Sequence, residues 1–149
     1  MKAKLENWVN NGWLERHQAT GAEIANLLNV GDRDLEKSRT PGLGPDWKFN
    51  ISYSATLAFA QAALVACGYR AKGPGHHYWT ILSLEFTLGV ESDIITQLDN
   101  YRSKRNTNVY QQAGVITDLE ADEMHELALK LRDDLYAWLA TCHPELLLK

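Results

Sequence analysis

Asp46-Trp47-Lys48-Phe49-Asn50-Ile51-Ser52-Tyr53-Ser54-Ala55-Thr56-Leu57-Ala58-Phe59-Ala60-Gln61-Ala62-Ala63-Leu64-Val65-Ala66-Cys67-Gly68 is the stretch that decides the fold. Pro41-Gly42-Leu43-Gly44-Pro45 before it is a breaker and loop, and Gly68 is a natural residue to stand just past a helix end. Between them the spacing predicts one long helix with two different apolar faces. Phe49, Tyr53, Leu57, Ala60, Leu64 and Cys67 make a bulky face. Ala55, Ala58, Ala62 and Ala66 make a small one, which lets a neighbouring helix approach closely. A helix that is apolar on both sides belongs at the centre of a fold.

Outward from this helix the pattern stays helical. Leu5, Trp8, Val9, Trp13 and Leu14 are spaced for a first helix from Leu5 to His17. Thr20 with Glu23 reads as a capping box opening a second, through Ile24, Leu27, Leu28 and Leu35, that fades near Arg39. After the central helix, His76 to Leu88 reads as a nearly all-round apolar helix closed by Gly89. Ser92 or Asp93 caps the next, which carries Ile94, Ile95, Leu98 and Tyr101 into a basic cluster. Thr117 and Glu120 form another capping box, and Met124, Leu127, Leu131, Leu135 and Trp138 form the stripe of a last helix, stopped by Pro144. β-branched alternation is absent, so no sheet is expected. The expected fold class is all-α, an up-and-down bundle of five to six helices. We read residues 1–149 as a single domain, with N-terminal helices in 1–40 and a core bundle in 46–142.

The bulk numbers agree with this. A chain of 149 residues, 45% hydrophobic and 23% charged, buries about 70% of its unfolded surface and needs no staples. A net charge of −4 argues against a surface coated with basic residues for non-specific nucleic-acid binding, though not against a local basic pocket. The apolar stretches are interrupted before the ~20 residues of a membrane span, and the polar N-terminus lacks the apolar region of a signal peptide. Cys67 and Cys142 have no metal-like spacing. Two semi-buried thiols in a cytoplasmic protein, with no metal and no membrane partner, are the expectation.

Chemistry concentrates in Tyr101-Arg102-Ser103-Lys104-Arg105-Asn106-Thr107-Asn108-Val109-Tyr110, with three positive charges and no acid in an otherwise acidic chain. Helical steps from Ile94, Leu98 and Tyr101 land on Arg105. An arginine on the apolar side of a helix needs a partner, because an unpaired buried charge is costly. That partner is either a carboxylate elsewhere in the chain or an anionic ligand, and the residues leave both open. Asn106 and Tyr110 share a face beside it. A second candidate is Arg70 to His77, where Gly73-Pro74-Gly75 precedes a helix start with Arg70, Lys72, His76 and His77 nearby. It reads either as a weak phosphate loop or as a plain turn with a histidine cap. Adjacent histidines point ~100° apart on a helix, a poor arrangement for chelating one metal. His125-Glu126 lacks the second histidine of a metalloprotease helix. Trp8, Trp13, Trp79 and Trp138 sit on apolar stripes as core residues; Trp47, beside the loop, lies off these stripes.

These residues also carry a resemblance. Glu23-Ile24 to Asp34-Leu35, Asp46-Trp47-Lys48-Phe49-Asn50-Ile51 with Tyr53, Gly68-Tyr69-Arg70, Gly75-His76-His77, Lys104-Arg105-Asn106 with Tyr110, and Asp122-Glu123 follow one another over about residues 20–145. In that order the chain resembles the HEPN domain family, nearest to its compact stand-alone bacterial members. The resemblance implies a helical bundle that commonly forms a homodimer and brings two motif copies into one cleft. Active members are metal-independent endoribonucleases without a cofactor, often toxins or defence factors paired with a nucleotidyltransferase-type antitoxin. Their motif is an arginine followed, after four to six residues, by a histidine. The histidine moves protons around the ribose 2′-OH, and the arginine stabilises charge on the phosphate. Carried over, Arg105 is the arginine, Asn106 the polar residue beside it, and Arg102, Lys104, His76 and His77 are candidates for substrate contact. The chain departs from the pattern at Tyr110, which stands where active members have histidine. A phenol of pKa ~10 is about 0.1% ionised at pH 7 and is a poor replacement base. The expectation is a protein that binds RNA or a nucleotide phosphate, with or without cleavage. Two alternatives are a non-enzymatic dimeric module in which Arg105 and Asn106 are structural, and a small-ligand pocket near Gly75-His76-His77.

Overall fold

The structure is a computed structural model describing residues 2–110 and 113–147, with side chains for 2–106 and 113–147. It is an all-α bundle. In chain order the elements are α1 (Lys2–Asn10), β1 (Leu14–Arg16), α2 (Gly21–Lys37), α3 (Pro45–Ala66), β2 (Tyr69–Ala71), α4 (His76–Leu82), α5 (Leu84–Thr87), α6 (Ser92–Tyr110) and α7 (Asp118–Cys142), with a 3-10 turn at Pro144–Leu146.

α3 lies at the centre, as its two apolar faces require, and packs most extensively against α2 and α7. Phe49, Tyr53, Ala55, Phe59, Ala60, Ala62 and Ala63 on α3 join Ile24, Leu28 and Leu35 of α2 and Met124, Ala128, Leu131, Leu135 and Leu139 of α7 in one core. Small residues set the spacing. Gly31 of α2 is buried directly against the Phe59 ring, where even a methyl group would collide. α3 is also the one helix among the described residues long and apolar enough to cross a bilayer, and most of it is buried inside the bundle.

Both capping signals act. Thr20 Oγ1 accepts from Glu23 N at 3.1 Å, although the Glu23 carboxylate turns to His17 instead of closing the box. At α7 both arms of the box are present between Thr117 and Glu120.

Three expectations need correction. The first helix stops at Asn10, because Asn11-Gly12 turns the chain with Gly12 at φ +80°, so Leu14 and His17 are not helical. A sheet exists: β1 pairs antiparallel with β2 in the register Leu14↔Ala71, Glu15↔Arg70, Arg16↔Tyr69. Gly68, at φ +94°, turns the chain out of α3 into β2. Strands of three residues are too short to show alternation, which is why the sequence pattern missed them. The predicted helix over 76–88 is also broken at Ser83. Thr80 Oγ1 donates to His76 O at 2.7 Å and Ser83 Oγ to Thr80 O at 2.6 Å, and such back-bonding bends helices.

The small sheet holds α1 over a second apolar cluster of Leu5, Leu14, Leu64 and Tyr69. Trp8, Trp13 and Trp79 pack beside it, with the Trp13 and Trp79 rings stacked at 3.9 Å. Trp47 is 63% exposed. Cys67 is half-buried and Cys142 exposed, so only one thiol matches the semi-buried expectation.

Candidate functional site

α6 brings the basic cluster onto the bundle. Its buried residues Leu98 and Tyr101 face the core. The Tyr101 ring meets Phe49 edge-on at 5.3 Å, and its hydroxyl donates to Glu123 at 2.7 Å, tying α6 to α3 and α7. One helical step further stands Arg105, on the inward side as the stripe predicts. Its Nε is buried and has no hydrogen-bond partner, and no ion pair to Arg105 occurs among the described residues. What it meets instead is an aromatic face: the Arg105 Cζ lies 5.6 Å from the Tyr53 ring centre. Of the two kinds of partner the sequence left open, the described residues supply no carboxylate.

The other cations of the cluster are engaged. Arg102 Nε donates to Asp99 at 2.9 Å, and its guanidinium lies 5.3 Å from the Tyr78 ring centre on α4. Lys104 Nζ donates to the Glu120 carboxylate of α7. That contact, with the Thr117 backbone, holds the Glu120 carboxyl below its ordinary range. The cluster is therefore acid-free only along the chain, since the fold sets Asp99 and Glu120 beside two of its three cations. Asn106 is exposed at the next position of α6. Tyr110 closes α6, and its side chain lies outside the described residues, as do those of the three residues before it.

The two histidines of the 70–77 segment differ in what surrounds them. His77 is half-buried. Burial first, then the charges of His76, Arg105 and Arg102, push its imidazole below the ordinary value, so it is chiefly neutral at pH 7 and lies within the field of both arginines. His76 is exposed, with Nδ1 3.3 Å from Gly73 O. It lines a separate cavity of about 180 Å³ with Glu23, Gln61, Arg70 and Thr80. Their rings are nevertheless in edge contact, 4.2 Å between centres. Arg70 is tied to Glu15 across the small sheet, and α4 has only seven residues, so the segment reads as a turn, not a phosphate loop. No group of three or more metal-ligating side chains occurs among the described residues.

Sequence reasoning missed two features. One is Tyr53, read as core alone. It is 1% exposed, yet its hydroxyl has no hydrogen-bond partner. Burial pushes its pKa up to about 12 against the opposing charges of Arg102 and Arg105. The buried run around it carried no polar signal that singled it out. The other is His125 on α7, 7% exposed, whose Nδ1 lies 2.9 Å from Ser38 Oγ, at the C-cap of α2, and 3.4 Å from Ser52 Oγ of α3. Ser38 Oγ spends its own proton on Leu35 O at 2.7 Å, so it accepts from an Nδ1–H of His125. Burial, then Lys48 and Arg39, lower the pKa of this imidazole. It joins three helices as a neutral polar bolt. Helical spacing did place His125 one position after Met124, but nothing in the sequence pointed to its serines.

No family model matches this chain and no curated protein does, which leaves the geometry around Arg105 as the ground for a functional reading.

Proposed function

We propose that the chain is a HEPN-type protein that holds a phosphate of RNA or of a nucleotide at Arg105, in a cleft completed by a second copy. One observation carries this reading. Arg105 is the inward-facing cation of the bundle that meets a ring face instead of a carboxylate, with a buried Nε–H left over. A guanidinium in that state keeps its desolvation cost and gains a charge-assisted hydrogen bond, worth roughly 1.5–3 kcal/mol, only when an anion arrives. Arg102, paired with Asp99 and lying against the Tyr78 ring, still contributes positive field, which lowers the pKa of His77. His77 supplies a neutral imidazole within reach of that field. If cleavage accompanies binding, His77 is the described group suited to take the 2′-OH proton at neutral pH as that oxygen bonds phosphorus. The P–O5′ bond then breaks, the leaving oxygen taking a proton from water, with Arg105 stabilising the charge on the phosphoryl oxygens. The resemblance adds a nucleotidyltransferase-type antitoxin as a partner to look for beside the gene product.

The experiment is a titration of labelled single-stranded RNA against the wild type, Arg105→Ala and Arg105→Lys, with cleavage followed in the same tubes. The reading expects wild-type binding that weakens at least ~10-fold in the alanine variant. Equal binding by all three, or no binding by any, sinks it.

A second reading has an observation of its own. Arg102 and Lys104 are already neutralised by Asp99 and Glu120, which fits a module whose basic cluster is structural and whose faces serve assembly. That reading expects Arg105→Ala to lose folding or dimerisation with no effect on RNA.

A further inference from the structure

Tyr53 and Arg105 sit on different helices, α3 and α6, and each hides a donor with nothing to donate to: the phenol O–H and the guanidinium Nε–H. Native structures contain few such groups, and each one keeps a full desolvation penalty. Here the two occur against one another, with the guanidinium 5.6 Å from the ring centre. The charged groups that act on the Tyr53 hydroxyl are Arg102, Arg105 and Asp99, all on the same stretch of α6. A phenylalanine would fill the same space without the penalty. The hydroxyl is therefore the one part of Tyr53 that packing alone does not account for.

We propose that the Tyr53 hydroxyl is a ligand-contacting donor of the Arg105 site, so that an incoming phosphate-type oxyanion is gripped from α3 and α6 together. This rests on the phosphate reading given above. An oxyanion offers several acceptor lone pairs, so it can accept from both orphan donors at once, and its bonds to them are charge-assisted as those to a neutral acceptor are not. The phenol remains protonated throughout the physiological range, because burial pushes its pKa up to about 12, and so it serves as a donor and not as a base. Neither donor atom is open to solvent, so Arg105 must turn its guanidinium to admit the anion. A ring face holds a guanidinium without fixing its rotation, unlike a bidentate carboxylate, and leaves that movement free.

The test is Tyr53→Phe, which removes the oxygen and nothing else. Binding of a short single-stranded RNA and of inorganic phosphate is measured on wild type, Tyr53→Phe and Arg105→Ala, alongside thermal unfolding. The expected result is a ~10- to 100-fold loss of affinity for both probes in Tyr53→Phe, with a melting temperature equal to or above the wild type. Loss for RNA alone places the contact on the polymer's phosphate and still supports the proposal. Wild-type affinity in Tyr53→Phe, with Arg105→Ala weakened, overturns this inference and spares the phosphate reading. A lowered melting temperature in Tyr53→Phe overturns it too, by showing that the hydroxyl has a structural partner. No binding by the wild type overturns both.

Discussion

Replacing Gly31 by alanine sets helix propensity against packing. On propensity alone the change should stabilise α2 by about 1 kcal/mol, since Gly31 lies in the interior of a 17-residue helix. The fold reverses the sign. A Cβ at Gly31 would stand 2.3 Å from Phe59 Cε1, 2.5 Å from Cζ and 2.8 Å from Cδ1. Comfortable carbon contacts are ~3.5–4.0 Å, so ring and helix must part by more than ~1 Å. Phe59 is 0% exposed and enclosed by the α2–α3–α7 core, which gives the ring nowhere to go. Overpacking of this severity belongs at the upper end of the ~1–3 kcal/mol range. Subtracting the propensity gain leaves a net loss of about 2 kcal/mol. For a domain of this size that corresponds to a melting temperature lower by ~4–8 °C, with a matching fall in the urea midpoint at unchanged slope. Phe59→Leu in the same background should recover part of the loss, because the two changes share one contact. A Gly31→Ala protein as stable as the wild type, or more so, would refute the reasoning that close approach at this point spaces α2 from α3.

The His125 bolt makes stability depend on pH. Its folded pKa lies below the ordinary value of 6.5, so the folded state binds the proton less readily than the unfolded chain. The contribution is thus fully present above about pH 6.5 and is lost as pH falls from there toward the lowered folded value. Urea midpoints between pH 7.5 and 5 should fall, and His125→Asn should flatten the slope, leaving the share that His77 adds in the same direction; an unchanged slope would contradict the role given to His125. Thr117→Ala removes the side-chain half of the α7 capping box and should cost ~1 kcal/mol, about 2–4 °C in melting temperature, against no change if the helix start is held by packing alone.

Much of the architecture was legible because it rests on long-period patterns. The 22-residue α3 announces itself by apolar residues all round. The Thr20 and Thr117 signals mark helix starts by a local rule, kept in full at Thr117 and in the threonine arm alone at Thr20, where Glu23 is drawn to His17. What failed was short or depended on partners distant in sequence. β1 and β2 have three residues each and pair across more than fifty positions, so no window contains both. The break at Ser83 comes from hydroxyl back-bonding in a segment whose hydrophobicity is unbroken. At the site, periodicity placed Arg105 inward correctly, because α6 is a regular helix through that point. The neutralisation of Arg102 and Lys104 was only half visible. Asp99 lies one helical step back on α6, whereas Glu120 arrives from α7. The orphan hydroxyl of Tyr53 was not legible at all, since a buried tyrosine with a partner and one without read alike.

The central claim is that the Arg105 Nε–H waits for an oxyanion. The heteronuclear N–H resonance of that group, assigned by its loss in Arg105→Lys and followed during titration with single-stranded RNA, tests it most directly. The account predicts a saturable downfield shift and slowed solvent exchange as the proton gains a charged acceptor, at the concentrations where binding occurs. An Nε–H signal that stays put while RNA binds, or that already shows the downfield shift of a proton held by a charged acceptor in the free protein, would contradict it.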